Sequence, residues 1–531
     1  MIGITLALAA GLVAPMLGPM LAHAAAAAPP APDAADAWQA DCAALAGRDG
    51  EMVVSAAAVA PDPVFVADPD AGARAVPVHD AFCRIEGRIE GNIDFEVWLP
   101  RRWNKRLLGA GVGGPAGVYN HADMAARLAQ GFATVTTDGG HKASQERWMA
   151  DPKARVDYEH RAVHLSTLAA KALAARFYGE APARAYFTGC SGGGRQALKE
   201  MQNYPGDYDG ILAGAPGPYM PLQSVRMLWF ALEQQRRPKG ALREQDWALY
   251  EASVTRACDA SDGVRDGIVE NPATCRFDTA KLLCRPGQAD GCLTAPRLAM
   301  LDAIISPMTD EDGAPMDGGL FPGVRTRPGP PSPLLRAMWA DGVHDDPDWD
   351  PMGFSRSADL AKANAAMPEL RADRTAIRPF IQRGSKAIIY QGWQDPSTNA
   401  GPTIDYYAAL AREHGGVAAL SDAVRLFMVP GMYHCQGGPG ADIFGGSGQF
   451  PLAAGADPTR DMLWALIRWV EDDRTPHSIV AARNPAGAPG LTRRLCPFPQ
   501  SARHRAGGLP DEAGSFTCED DPALRALLDR S

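Results

Sequence analysis

Ala185-Tyr186-Phe187-Thr188-Gly189-Cys190-Ser191-Gly192-Gly193-Gly194-Arg195-Gln196 sets a serine between a strand and a helix. The first four residues are β-prone, and Arg195 through Met201 reads as helix, so the Gly-x-Ser-x-Gly falls at a strand-to-helix turn, the setting of a nucleophile elbow. Glycine neighbours let the backbone turn sharply beside Ser191. The helix N-terminus then offers N–H groups and a dipole to a developing oxyanion. In a chain with 55 glycines the bare pattern arises readily by chance, so its meaning rests on the flanking strand and helix.

Outward from that turn, strands and helices alternate. Met52-Val53-Val54, Phe82 to Ile89 and Phe95 to Pro100 read as early strands, the last alternating apolar and polar. Arg106 to Gly117 reads as a strand entering a glycine-rich loop; a helix near Ala122 to Gln130, a strand from Phe132 to Asp138 and a helix near Arg161 to Tyr178 follow. After Gly217 the pattern breaks into helical segments, proline clusters and four cysteines, and the strands resume at Lys386 to Gly392 and Val424 to Pro430. The fold expected is α/β: an α/β-hydrolase sheet over 37–217 and 378–531, with a lid of about 160 residues, 218–377, inserted between the nucleophile and acid strands.

An activated serine needs a base within hydrogen-bond reach and a carboxylate to orient that base. In this fold the chain order is serine, acid, histidine. Two later strand exits supply them: Asp395 in Tyr390-Gln391-Gly392-Trp393-Gln394-Asp395-Pro396, and His434 in Met428-Val429-Pro430-Gly431-Met432-Tyr433-His434-Cys435. The bland readings are an Asp-Pro turn cap and a packed structural histidine. Oxyanion donors are expected from the N–H of Gly192 and from the Gly109 to Gly117 loop, whose loose glycine pattern lacks the Lys-Ser/Thr of a phosphate cradle.

Cys190 precedes the serine and Cys435 follows the histidine. A formed triad brings the two cysteines toward disulfide range, so a Cys190–Cys435 bridge is expected, against the alternative of two buried thiols. Cys258-Asp259-Ala260-Ser261-Asp262-Gly263-Val264-Arg265-Asp266-Gly267-Ile268 gathers three carboxylates between turn glycines. Hard oxygen donors of this number, with carbonyls such as those of Val264 and Ile268, suit a structural Ca²⁺; the alternative is an acidic surface turn. A Cys258–Cys275 bridge would close this loop, adding about 3 kcal/mol by chain entropy.

The chain has 531 residues, 46% hydrophobic and 21% charged, with a net charge of −10. That composition describes an ordinary globular protein and argues against nucleic acid as a partner, since no basic block is present. Residues 1–24 are apolar, carry no charged side chain and end in Ala22-His23-Ala24, which reads as a signal peptide, with an uncleaved apolar anchor or a mis-assigned start as alternatives. Residues 25–36 read as a disordered Ala/Pro-rich leader. No later run is long enough to span a membrane, and the ten cysteines fit disulfides in an oxidising compartment, so a secreted or periplasmic location is expected.

Cys190-Ser191, Asp395 and His434-Cys435, in that order around an inserted lid, resemble the tannase and feruloyl esterase family, which also includes mono(hydroxyethyl) terephthalate hydrolase. The resemblance runs from about Cys42 to Cys518. It implies Ser191 as nucleophile, His434 as general base and Asp395 as its orienter. It also implies an oxyanion hole from Gly192 and the Gly111 to Gly114 loop, with Gly113 the candidate donor. It carries a lid calcium site onto Asp259, Asp262, Val264, Asp266 and Ile268, and the pairs Cys42–Cys83, Cys190–Cys435, Cys258–Cys275, Cys284–Cys292 and Cys496–Cys518. The expected activity is a secreted serine carboxylesterase acting on small esters of hydroxycinnamic, gallic or related aromatic acids. Alternatives are a terephthalate-monoester hydrolase or other α/β-hydrolase and, from another class, a non-catalytic binding module. The sequence assigns no oligomeric state.

Overall fold

The computed structural model describes residues 34–67, 74–326, 332–452, 454–483 and 490–529. The expected signal peptide at 1–24 and most of the leader lie outside the described residues. The leader's last residues do not match the expectation: a helix, Ala34–Ala43, already includes Ala34 to Asp36. Its Cys42 is bonded to Cys83 of the sheet, which ties this segment to the core.

Ten strands form the central sheet: β1 Gly47–Asp49, β2 Met52–Val59, β3 Phe82–Ile89, β4 Ile93–Pro100, β5 Arg106–Ala110, β6 Ala133–Thr137, β7 Arg184–Cys190, β8 Gly210–Gly214, β9 Lys386–Gly392 and β10 Val424–Val429. Their order across the sheet is β1-β2-β3-β4-β6-β5-β7-β8-β9-β10. The strands from β6 to β10 pair in parallel, and those from β1 to β4 form an antiparallel extension that joins β6 through β4.

The parallel strands read as continuous apolar runs because both faces are covered. Successive residues point to opposite sides, so each pair feeds two cores. Leu107, Phe187, Ile211, Ile389 and Leu426 enter one, while Leu108, Tyr186, Leu212, Ile388 and Phe427 enter the other. Helices Ala162–Tyr178 and Ala400–Glu413 contribute to the first, and Met462–Asp472 to the second.

The alternation read in β4 does not mark a wet face. Every residue of this strand is buried. Glu96, on the nominally polar side, is 0% exposed and accepts from Arg84 Nε at 2.5 Å and Trp98 Nε1 at 2.6 Å, with His121 Nε2 at 2.9 Å. The physical reason is position: β4 is held between β3 and β6, and helix His121–Leu128 packs beside it.

Between β8 and β9 the chain leaves the sheet. Helices Met220–Arg236, Glu244–Cys258, Ala295–Ile305 and Arg356–Ala366 fill this insertion and build two further cores. Phe230, Trp339 and Phe354 are spent on those cores, with Trp229 and Trp349 packed against one of them. The result is an α/β-hydrolase sheet with a helical insertion between β8 and β9.

Candidate active site

β7 ends at Cys190 and helix Gly192–Asn203 begins at Gly192, so the turn is compressed into one residue. Ser191 takes φ 61° and ψ −123°, a conformation that costs a non-glycine residue about 1–3 kcal/mol and persists only where its surroundings enforce it. The surroundings are tight. A Cβ on Gly189 would lie 2.5 Å from the Gly193 backbone, and one on Gly194 would lie 2.1 Å from Gly214 O. Ser191 N–H donates to Gly214 O at 3.0 Å, which locks the turn onto β8.

The expected acid and base meet. His434 Nδ1 is 2.8 Å from Asp395 Oδ2, and Asp395 is 0% exposed. The carboxylate is held on both oxygens: Oδ1 accepts from the N–H groups of Ser397 (2.8 Å) and Thr398 (2.9 Å), and Oδ2 from Thr398 Oγ1 (2.8 Å) and Gln391 Nε2 (3.1 Å). Thr403 Oγ1 in turn donates to Gln391 Oε1 at 3.0 Å. The two loops are also tied directly, since Gly431 N–H donates to Gln394 Oε1 at 2.8 Å. Gln391, Gln394 and Thr398 were not singled out from the sequence, although they lie within four residues of Asp395.

A covalent link joins the neighbours of Ser191 and His434. Cys190 and Cys435, 245 positions apart, form a disulfide with Cα atoms 6.0 Å apart. The other pairs are Cys42–Cys83, Cys258–Cys275, Cys284–Cys292 and Cys496–Cys518, the pattern implied by the resemblance.

The loop after β5 faces the serine. A Cβ on Gly113 would lie 3.9 Å from Ser191 Cβ. Four N–H groups of this loop are occupied: Gly111 donates to Thr188 O at 2.8 Å, Val112 to Gln196 Oε1 at 3.0 Å, Ala116 to Gly113 O at 3.2 Å and Gly117 to Asp138 O at 2.7 Å. A cavity of about 850 Å³, lined by Arg48, Arg88, Tyr119 and Lys142 among others, lies at the antiparallel end of the sheet, and its lining includes none of Ser191, Asp395 and His434.

The acidic loop of the insertion is folded back on itself. Asp259 accepts from the N–H groups of Asp266 (3.1 Å) and Gly267 (3.2 Å), Asp262 from Val264 N–H (3.2 Å) and Asp266 from Ile268 N–H (3.0 Å). Arg493, 1% exposed in its side chain, reaches in from the C-terminal hairpin Ile479–Arg483 and Leu491–Leu495, donates to Asp266 Oδ2 and sits 3.7 Å from Asp262 Oδ2. Asp262 Oδ2 is nevertheless buried without a hydrogen-bond partner, and burial raises the pKa values of Asp262 and Asp266. An orphaned carboxylate oxygen among hard donors fits an oxygen-seeking cation. Among the described residues, no three His, Cys, Asp or Glu side chains already converge as metal ligands.

The family model for tannase and feruloyl esterase matches residues 75–326 and 350–519. An uncharacterised esterase of Xanthomonas campestris pv. campestris is 32% identical over 517 residues, covering 88% of this chain and 89% of its own. A probable feruloyl esterase B of Aspergillus clavatus is 31% identical over 470 residues, covering 85% and 89%. Among solved structures, feruloyl esterase B from Aspergillus oryzae superposes with a TM-score of 0.84 at 27% identity, covering 91% of this chain and 100% of its own. Tannin acyl hydrolase from Aspergillus niger, at 19% identity, shares the fold with a TM-score of 0.75 over 92% and 96% of the two chains. The chain therefore belongs to the tannase and feruloyl esterase family.

Proposed function

We propose that this esterase is an exported serine carboxylesterase that hydrolyses esters of hydroxycinnamic, gallic or related aromatic acids through an acyl-enzyme. The observation that carries the reading is the Cys190–Cys435 bridge, which joins the strained Ser191 turn to the loop where His434 meets buried Asp395. Ser191 Oγ attacks the ester carbonyl as His434 takes its proton. The imidazolium is stabilised by Asp395, whose carboxylate is oriented by four donors besides His434. The oxyanion accepts from Gly192 N–H at the helix start and from the Gly113–Gly114 segment, the part of the glycine loop between the N–H groups already engaged. His434 returns its proton to the leaving alcohol, and water, activated by the same imidazole, releases the acid.

In this reading Asp259, Asp262 and Asp266, with the carbonyls of Val264 and Ile268, hold a structural Ca²⁺ that supplies no chemistry to the ester. The orphaned Asp262 oxygen supports it. Export is supported by five disulfides, which persist in oxidising compartments. A panel of feruloyl, galloyl and terephthaloyl esters, assayed with the wild type and Ser191→Ala, tests the reading. Turnover of feruloyl or galloyl esters that Ser191→Ala loses is expected. Preference for terephthaloyl monoesters, or turnover that survives the substitution, would overturn the corresponding part.

A further inference from the structure

Tyr158 stands at the centre of contacts that join the nucleophile helix to the glycine loop. Its hydroxyl donates to Gly114 O at 3.0 Å, and the residue is 6% exposed. It lies in a π-helical turn, Asp157–Arg161, where Ala162 N–H bonds Asp157 O five residues back. Single π turns often occur where a helix is shaped around a site.

The turn is gripped by Arg195, one helical turn beyond Ser191 and 2% exposed. Its guanidinium donates to Glu159 O at 2.8 Å and Tyr158 O at 3.0 Å, and lies 4.8 Å from the centre of the Tyr158 ring. Trp148 packs edge-on against the same ring with centroids 5.0 Å apart. A fork that binds two carbonyls and stacks on the ring between them fixes the phenol more firmly than one hydrogen bond could.

Gly114 has φ +60°, and proline follows it. The preceding peptide plane, which carries the Gly114 N–H, is held by Ala116 N–H donating to Gly113 O at 3.2 Å, so with Tyr158 on Gly114 O the backbone is held on both sides of Gly114. One continuous path thus runs from Ser191 along its helix to Arg195, through Tyr158, and back to the loop facing Ser191.

We infer that Tyr158 is a positioning residue for the oxyanion hole, with Arg195 as its support: it sets the distance between the nucleophile and the N–H donors of the Gly113–Gly114 segment. The inference rests on the serine-esterase reading above. Because the donors act on charge that develops only in the tetrahedral intermediate, their misplacement lowers kcat and leaves substrate affinity alone.

Tyr158→Phe removes one hydroxyl and keeps the ring. The experiment compares kcat and KM on a feruloyl ester, and inhibition by phenylboronic acid, whose serine adduct carries the tetrahedral charge. Expected are a kcat lower by about 10-fold, a boronate Ki higher by about the same factor and a KM within about 2-fold. Tyr178→Phe is the control, since Tyr178, half-buried against the sheet's core, likewise donates a hydroxyl to a backbone carbonyl, Pro100 O at 2.7 Å. It should lower the melting temperature and leave kcat and Ki unchanged. Should Tyr158→Phe not fold, Arg195→Lys, which keeps the charge and loses the fork, carries the same expectation at smaller amplitude. Wild-type kcat and Ki in the folded variant, or a change in KM alone, overturn the inference. A wild type without ester turnover, indistinguishable from Ser191→Ala, instead sinks the serine-esterase reading and takes the inference with it.

Discussion

Thr398 Oγ1 donates to Asp395 Oδ2 at 2.8 Å and lies 3.4 Å from His434 Nδ1, so a buried hydroxyl stands where acid and base meet. Thr398→Val keeps the shape and removes that donor. Asp395 retains its backbone donors and Gln391, so the fold should survive with a loss of about 1 kcal/mol, while kcat falls about 10-fold as the imidazole loses its fixed orientation. Denaturant melts and steady-state kinetics check both halves. An unchanged kcat would show that the hydroxyl only fills space.

The Cys190–Cys435 bridge closes a separation of 245 residues. Cross-links over such lengths stabilise by about 2–5 kcal/mol, chiefly through the unfolded chain. The double variant Cys190→Ala/Cys435→Ala should lose stability in that range, and its activity should fall further than its folded fraction, because the bridge also joins the Ser191 turn to the His434 loop. Activity that tracks only the folded fraction would reduce the bridge to a staple.

Glu200 lies in the helix that starts after Ser191, fully buried beside Asp207, with Lys171 the opposing cation; burial pushes its carboxyl well above the usual range. The folded state therefore favours the neutral acid. That contribution is complete below the unfolded value of 4.5 and declines as pH rises toward the folded pKa. Glu200→Gln should consequently melt higher than the wild type at about pH 8, with the difference shrinking toward about pH 5. Thermal melts across this range test it, and a gap independent of pH would contradict it.

If the acidic loop holds Ca²⁺, metal analysis of the purified protein should return about one ion per chain, and a chelator should lower the melting temperature until calcium is restored. Asp262→Asn should remove most of the chelator effect. No bound metal together with unmoved melts would count against the site.

Much of the candidate site's framework was legible because each part of it is local. Ser191, Asp395 and His434 all follow parallel strands with plain apolar runs, and the cysteines beside Ser191 and His434 mark two of the loops that meet. Other features depend on partners far along the chain. The apolar and polar alternation of β4 does not reveal that Glu96 is fully buried, where it accepts from Arg84 and hydrogen-bonds His121. Arg493 joins the acidic loop from a hairpin more than 200 residues later. Tyr158 reads as one more aromatic residue before a helix until the structure brings it against Gly114 and Arg195. The Ala34–Ala43 helix was obscured by an Ala/Pro-rich composition that runs into it without a boundary.

The most direct test of the proposed chemistry is rapid-quench mass spectrometry of the protein mixed with a feruloyl aryl ester. A burst of aryl alcohol should accompany one acyl group on the peptide containing Ser191, and Ser191→Ala should show neither. A burst that persists in Ser191→Ala, or an acyl group on another residue, would contradict Ser191 as the nucleophile.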